Sequence, residues 1–139
     1  AIEVNGVEAW IHWEGAGMVV EMGYAFLDKE PDWKGAGGDA SFYALNFARH
    51  RVLASAAWTF SERARFRLEG EFRDHAPNLL RNGRDSVVKL NAFLGWEDFP
   101  ARGWAFQAGV RNLTDAAFEH LPGTPGPRRS WEVTLIRNW

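Results

Sequence analysis

The chain contains no cysteine among its 139 residues. A disulfide scaffold, a zinc site built on thiolates and a thiol nucleophile are therefore excluded. Long apolar runs are also lacking, because the hydrophobic residues (46% of the chain) are interrupted every few positions, and this excludes a helical membrane span. The net charge of -2 gives no support to nucleic-acid binding, so no nucleic-acid partner is expected.

Aromatic residues are abundant, with eight Trp and ten Phe, and they favour strands and membrane interfaces. Side chains in a strand alternate between two faces, and seven segments of the chain show this period of two without a sustained helical period. Each is about as long as a tilted membrane-spanning strand. The segments lie near residues 7–13, 18–27, 51–60, 65–74, 87–96, 104–113 and 128–139.

The fourth segment alternates most cleanly between apolar and charged residues. Its apolar positions are Phe66, Leu68, Gly70 and Phe72, and its charged positions are Arg65, Arg67, Glu69, Glu71 and Arg73. The charged row predicts a hydrated inner face whose charges pair with neighbours, with a substrate-lining wall as the alternative. A wide lumen holds five such side chains more easily than a tiny barrel. Bacterial single-chain barrels also have even strand counts, so seven strands indicate part of a larger barrel.

The connections between these segments alternate in length. Three are short, at residues 14–17, 61–64 and 98–103, and three are long, at residues 28–50, 75–85 and 114–127. This sorting is typical of outer-membrane barrels, which have short turns on the periplasmic side. Aromatics gather at the short-turn ends and predict a membrane-interface girdle. Its expected members are Trp13, Trp58, Phe60, Trp96, Trp104 and Trp139.

Several short motifs, in this order and spacing, resemble the barrel of TonB-dependent outer-membrane receptors. Residues 110–115, which include Asn112, Leu113 and Asp115, precede the aromatic Phe118 as in the penultimate strand of that family. Residues 125–129 resemble its proline-glycine-arginine approach to the last strand. Residues 5–8 and 87–92 resemble earlier strands, and Trp139 matches the C-terminal aromatic that the barrel assembly machinery reads.

The resemblance implies that residues 1–139 are the C-terminal segment of such a β-barrel in the bacterial outer membrane. The family's N-terminal plug, its TonB box and about two thirds of its strands are absent from this sequence. The implied function is TonB-dependent uptake of a scarce ligand such as a siderophore, cobalamin, haem or an oligosaccharide. Implied partners are outer-membrane lipid, the TonB complex through the plug, and the barrel assembly machinery at Trp139.

Ligand contact is expected in the long loops, where binding residues concentrate. Aromatic rings offer stacking faces, and arginines offer paired hydrogen bonds to carboxylates. Tyr43, Arg73 and Arg81 are the predicted ligand-binding residues.

No catalytic residue, cofactor or metal site is predicted. The four histidines lack metal-ligand spacing. Asp74, His75 and Ser86 are hydrolase-type residues, but no pattern places a nucleophile beside a base.

Two alternatives remain open. One is a complete small outer-membrane barrel, either an enzyme or an adhesin, which an eighth strand within residues 41–50 would favour. The other is a soluble ligand-binding β-barrel whose apolar faces turn inward.

Overall fold

The computed structural model describes residues 2–31, 47–75, 82–121 and 123–137, which form strands and connections without any helix. Accordingly, these residues include no helix long and apolar enough to cross a membrane. The strands are β1 (Ile2–Gly15), β2 (Met18–Pro31), β3 (Ala48–Ser61), β4 (Ala64–His75), β5 (Ser86–Glu97), β6 (Trp104–Arg111), β7 (Glu119–Leu121), β8 (Thr124–Pro125) and β9 (Ser130–Arg137).

Seven strands form one antiparallel sheet in the order β1-β2-β3-β4-β5-β6-β9. Each strand pairs with the next one along the chain, except that the small hairpin β7–β8 lies between β6 and β9. The predicted all-β class with seven antiparallel strands is therefore confirmed. Two details were wrong. The sixth strand ends at Arg111 because Asn112 has a φ of 51°, outside the strand region, and the predicted loop 114–127 contains the β7–β8 hairpin.

The short connections are tight turns, and their shape follows from positive φ angles and from a side-chain hydrogen bond within the turn. Ala16 and Gly17 both have positive φ (50° and 74°), the conformation of the two-residue turn that matches strand twist. The turn between β5 and β6 is held by Asp98, whose carboxylate accepts a hydrogen bond of 2.9 Å from the Gly103 amide. Gly103 has a φ of 80°, which only glycine adopts at no steric cost.

The register places most of the apolar residues of the seven strands on one face, here called the apolar face. Along one row Met22 is opposite Ala54, Ala54 is opposite Gly70, and Gly70 is opposite Leu90. The charged and polar residues lie on the other side, the polar face, where Arg51 is opposite Arg73 and Glu71 is opposite Lys89. A slip of one residue would exchange the two faces, so the separation of apolar from polar side chains depends on the register.

The apolar face is exposed along the whole sheet, and the described residues build no conventional core. Their buried hydrophobic side chains are Phe47, Ala64, Val87, Ala105 and Phe118, and no large side chain among them is fully buried. Large apolar side chains exposed on the apolar face include Val7, Ile11, Trp13, Met22, Trp58, Leu68, Val88, Trp131, Val133 and Leu135. Contiguous apolar surface of this extent marks an interaction surface.

On the polar face, two glycines are covered by aromatic rings from the neighbouring strand. The ring of Phe93 lies against Gly109, where a Cβ would meet ring carbons at 2.6 and 3.0 Å and a Glu132 oxygen at 3.0 Å. The indole of Trp10 lies over Gly23 in the same way. By contrast, Gly95 has nothing within 4 Å of the position of an added Cβ. Glycine is thus sterically required at positions 23 and 109 but not at position 95.

This contrast predicts opposite effects of adding one methyl group to neighbouring strands. Gly109→Ala should destabilise the sheet by about 1–3 kcal/mol, because Phe93 is displaced from its packed position. Gly95→Ala should be neutral or stabilise by up to about 1 kcal/mol, because it restricts the unfolded chain without a clash. Urea-unfolding midpoints of the two variants measure the difference. Equal midpoints would contradict the packing described for Phe93.

Candidate functional site

A cluster of charges on the polar face is centred on Glu71. Its carboxylate lies 2.6 Å from Arg73 Nε, 3.0 Å from the Arg51 guanidinium and 2.8 Å from Lys89 Nζ. The Glu71 side chain is only 14% exposed. Three cations thus share one largely covered carboxylate, contributed by β3, β4 and β5, and such charge-assisted hydrogen bonds are short and directional. The cluster cross-links three strands and leaves an excess of positive charge.

Further pairs continue along the polar face towards the short turns. Arg67 lies 2.9 Å from Glu69, whose carboxylate also accepts a hydrogen bond of 3.2 Å from the Asn91 amide. Arg111 makes two hydrogen bonds to Glu132, at 3.0 and 3.2 Å. The charged row of β4 therefore pairs with its neighbours, as expected from the sequence, for four of its five members.

Asn112 organises the connection between β6 and β9. It is 5% exposed, and its side-chain amide donates to the carbonyls of Ala116 (2.9 Å) and Pro127 (3.1 Å). Its side-chain oxygen accepts from the Ala116 amide, and its own backbone amide donates to the Asn91 side chain at 3.0 Å. This residue thereby fastens both ends of the connection to each other and to β5.

Asp115 adds a second fastening to the same connection. It accepts two hydrogen bonds from the Arg128 guanidinium, at 3.1 and 2.8 Å, and one of 3.1 Å from the Arg129 amide. The Arg128 hydrogen bonds, followed by the Arg129 amide, hold the pKa of the Asp115 carboxyl below its ordinary value. The two sequence motifs at residues 110–115 and 125–129 are therefore in direct contact, which the sequence alone did not show.

The fastened connection folds over the polar face. Phe118 is buried, and its ring lies 4.5 Å from Lys89 Nζ. The ring also packs against Gly126, where an added Cβ would overlap it, and against the His120 ring, with 5.0 Å between the two centroids. The Gly126 amide also donates to the Phe118 carbonyl at 2.8 Å. The long-loop end of the polar face is thus partly covered by an ordered piece of chain next to the Glu71 cluster.

Of the three sequence-predicted ligand residues, Arg73 lies within the described part of the chain. Arg73 lies on the polar face, 23% exposed, with its Nε bound to Glu71. Tyr43 and Arg81 lie outside the described residues, as does most of the segment 41–50 in which an eighth strand was considered.

Five of the six predicted girdle aromatics lie within the described residues, at the short-turn ends of their strands and on the apolar face. The Trp58 and Phe60 ring centroids are 5.5 Å apart, and Trp96 lies 5.9 Å from Phe99. Trp13 is 50% exposed at the end of β1. Trp104 begins β6, with the Arg137 guanidinium carbon 5.7 Å from its ring centroid. Trp139 lies outside the described residues.

The hydrolase-type residues do not form a catalytic arrangement. The Ser86 hydroxyl donates to the Asp74 carboxylate, whereas His75 Nδ1 lies 3.1 Å from the Asp85 carbonyl. A serine nucleophile needs a histidine between it and the carboxylate, and this order is not found here. Within the part of the chain that the structure describes, no group of three or more His, Cys, Asp or Glu residues could hold a metal ion.

One exposed aromatic on the polar face was missed from the sequence. Trp10 is out of phase with the apolar positions of β1 and is 69% exposed on the polar face. It lines a cavity of about 280 Å³ together with Leu53, Ser55, Glu69 and Asn91. The sequence could have shown this, because Ala9 and Ile11 belong to the apolar face and the residue between them must point to the opposite face.

Comparisons with known proteins give no match: no family model, no curated protein and no solved structure matches the chain.

The contact between Asp115 and Arg128 predicts a pH response of the 112–129 connection. Because the pKa of Asp115 is lowered in the folded state, its stabilisation is present above the ordinary value near 3.9. It is lost as the pH falls from there through the folded pKa. Hydrogen exchange at the Arg129 amide, corrected for intrinsic rates, should accelerate over this window. In Asp115→Asn, exchange should be faster at pH 6 and should lack this response. The same pH response in both proteins would contradict the prediction.

Proposed function

We propose that the chain is a stretch of wall of an outer-membrane β-barrel, with the apolar face towards lipid and the polar face towards a hydrated lumen. The observation that carries this proposal is the contrast between the faces. One face exposes large apolar side chains on strands from β1 to β9, and the other pairs charges across strands, as in Arg51–Glu71, Lys89–Glu71 and Arg111–Glu132. Lipid on one side and water on the other would satisfy both faces at once.

The height of the apolar face supports this proposal. On β4 it runs from Ala64 to Phe72, and Asp74 follows on the same face. The eight residue steps from Ala64 to Phe72 span about 26 Å at roughly 3.3 Å each, or about 20 Å for a strand tilted by about 40°. This is close to the apolar band expected of an outer-membrane barrel, about 25 Å. His50, Asp74 and Ser86 are neighbours in register and would mark the boundary of that band.

The sheet edges support a larger barrel. Among the described residues, β1 and β9 each have one neighbouring strand, and lipid cannot satisfy the other edge of either strand. Because all neighbours are antiparallel and the sheet has seven strands, β1 and β9 run in the same direction. Closure by antiparallel pairs alone therefore needs an odd number of additional strands. A ring of identical copies with one orientation in the membrane would join β9 to β1 in parallel.

We further propose that this barrel belongs to a TonB-dependent receptor that takes up a scarce ligand across the bacterial outer membrane. The support is the sequence resemblance together with the contact between its two motifs, since Asp115 and Arg128 hold the approach to the last strand in place. The polar face would contact the plug, and the plug would contact the TonB complex. Tyr43, Arg73 and Arg81 stay the predicted ligand contacts at the outer mouth.

The membrane part of the proposal is tested by single cysteines on opposite faces. The chain has no cysteine, so each variant carries one thiol. Leu135→Cys and Thr134→Cys are adjacent on β9, and both positions are exposed. In vesicles, a lipid-soluble maleimide should label Leu135→Cys, whereas a water-soluble one should label only Thr134→Cys. Reversed labelling would overturn the orientation, and labelling of Leu135→Cys by neither reagent would favour a soluble barrel whose apolar face turns inward.

A charged substitution should be tolerated on only one face. Leu68→Arg places a charge near the middle of β4 on the apolar face, where lipid exposure costs about 2–4 kcal/mol. Gln107→Arg is the control, in the middle of β6 on the polar face. Heat-modifiable gel mobility measures assembly, which should fail for Leu68→Arg and persist for Gln107→Arg. Equal assembly of the two variants would argue against lipid contact at Leu68.

The receptor part is tested by the reading frame that surrounds this sequence. A plug-like domain and an odd number of further strands in the same polypeptide would support it. A frame that encodes only a small barrel would overturn it and favour an outer-membrane enzyme or adhesin.

A further inference from the structure

The polar face carries one aromatic platform that the proposed uptake function does not yet use. A Cβ added at Gly23 would meet three ring atoms of Trp10 at 2.7, 2.8 and 2.9 Å. The near equality of these distances means that the indole lies with its face on the glycine, since a ring approaching by its edge would spread them further. Gly23 is itself buried beneath the ring. One indole face is therefore covered, and the other faces outward.

The contact between Trp10 and Gly23 does not by itself explain why the indole of Trp10 is so exposed to solvent. Phe118 covers Gly126 and is only 8% exposed, and Phe93 covers Gly109 with the Arg111 guanidinium 5.3 Å from its ring. These two rings are half-buried or buried. Trp10, in contrast, is 69% exposed on the polar face and lies on β1, an edge strand of the sheet. Its free indole face is available to a ligand.

The register surrounds this platform with two distinct rows. The first row runs from Trp10 through Gly23 to Leu53 and is apolar. The adjacent row carries Glu21, Ser55, Glu69 and Asn91 from four consecutive strands. The second row is prearranged by its own hydrogen bonds, from Ser55 to Glu21 at 3.4 Å and from Asn91 to Glu69 at 3.2 Å. A flat apolar strip thus lies beside a strip of hydrogen-bonding groups.

The charges around the cavity indicate the class of ligand. The two cations that line it are each bound to a carboxylate, Arg67 to Glu69 and Lys89 to Glu71, so their charge is directed at the protein and not at an anionic chelate. The third lining carboxylate, Glu21, contacts His12 and Ser55. Most of these polar atoms are acceptors, so they suit a ligand rich in hydroxyl donors. The volume of about 280 Å³ is near the lower end for small-molecule pockets and suits one or two rings.

We propose that Trp10 and the row from Glu21 to Asn91 form a subsite on the inner wall for a neutral sugar ring. The apolar C–H face of a pyranose would stack on the indole, and its hydroxyls would donate to Glu21 and Glu69. The inference rests on the proposed function, because it needs the polar face to line a hydrated lumen, and it narrows the proposed cargo to oligosaccharides.

The test uses the assembled protein, purified in detergent with the strands that close its sheet. Maltohexaose, cellohexaose and chitohexaose are titrated by calorimetry, with ferric citrate as the anionic comparison. We expect at least one hexasaccharide to bind and ferric citrate not to compete with it. Trp10→Ala should weaken that binding about tenfold, the effect of removing one stacking contact. Gly23→Ala should weaken it as well, because the added methyl group displaces the indole.

Two control variants distinguish the loss of a stacking contact from a general destabilisation of the protein. Trp131→Ala removes a tryptophan of similar exposure, 74%, from the apolar face and should leave binding unchanged. Trp10→Phe keeps an aromatic ring and should retain most of the affinity. Unchanged binding in Trp10→Ala, equal loss in Trp131→Ala, binding of ferric citrate at this site, or no hexasaccharide binding at all would each overturn the proposal.

Thiol labelling of the same preparation distinguishes this proposal from the proposed function. If the cysteines at positions 134 and 135 label as expected while the sugars fail to bind, the barrel wall stands and the sugar subsite is wrong. If the labelling is reversed, the polar face does not line a lumen, and the sugar subsite is then wrong together with the membrane orientation.

Discussion

The pairing register of the seven strands is the constraint on which the other features of this protein depend. With a side-chain period of two, the register decides which residues share a face, and a slip of one residue would turn every apolar side chain to the other side. The observed register keeps the apolar residues of β1 to β6 and β9 in common rows. The same register brings Arg51, Arg73 and Lys89 around Glu71, so the charge cluster and the apolar face follow from one set of backbone hydrogen bonds.

Because the sheet has no core among the described residues, its stability in isolation would rest mainly on backbone pairing and cross-strand contacts. Buried hydrophobic side chains are few, and the large apolar ones are exposed. A sheet of this kind gains the usual free energy of apolar burial only when something covers its apolar face. A bilayer is the proposed cover. It would also explain why the polar face pairs its charges laterally, since a lumen wall must satisfy its polar groups without help from lipid.

The conformation of the β6–β9 connection depends on side-chain hydrogen bonds and not on the strand register. Its shape comes from side chains that satisfy backbone groups, with Asn112 bonded to Ala116 and Pro127 and with Asp115 bonded to Arg128 and Arg129. These contacts hold Phe118 against Gly126 and over Lys89 on the polar face. This connection therefore has a defined conformation, held by its internal hydrogen bonds. Together with the Glu71 cluster and the Trp10 platform, it places chemically distinct groups on the same face of the sheet.

The all-β class, the seven strands and the two faces were predictable from the residues alone, because the period-two alternation is local and needs no knowledge of partners. The position of the aromatics at the short-turn ends was predictable too, since strand boundaries follow from turn residues such as Gly17 and Asp98. The charge contacts were not predictable, because the partners of Glu71 come from three strands and depend on the register. The contacts by which Asn112 and Asp115 join distant motifs also required the folded chain. Trp10 shows the limit most clearly: its exposure depends on Gly23, which lies thirteen residues away in sequence and directly opposite it in the sheet.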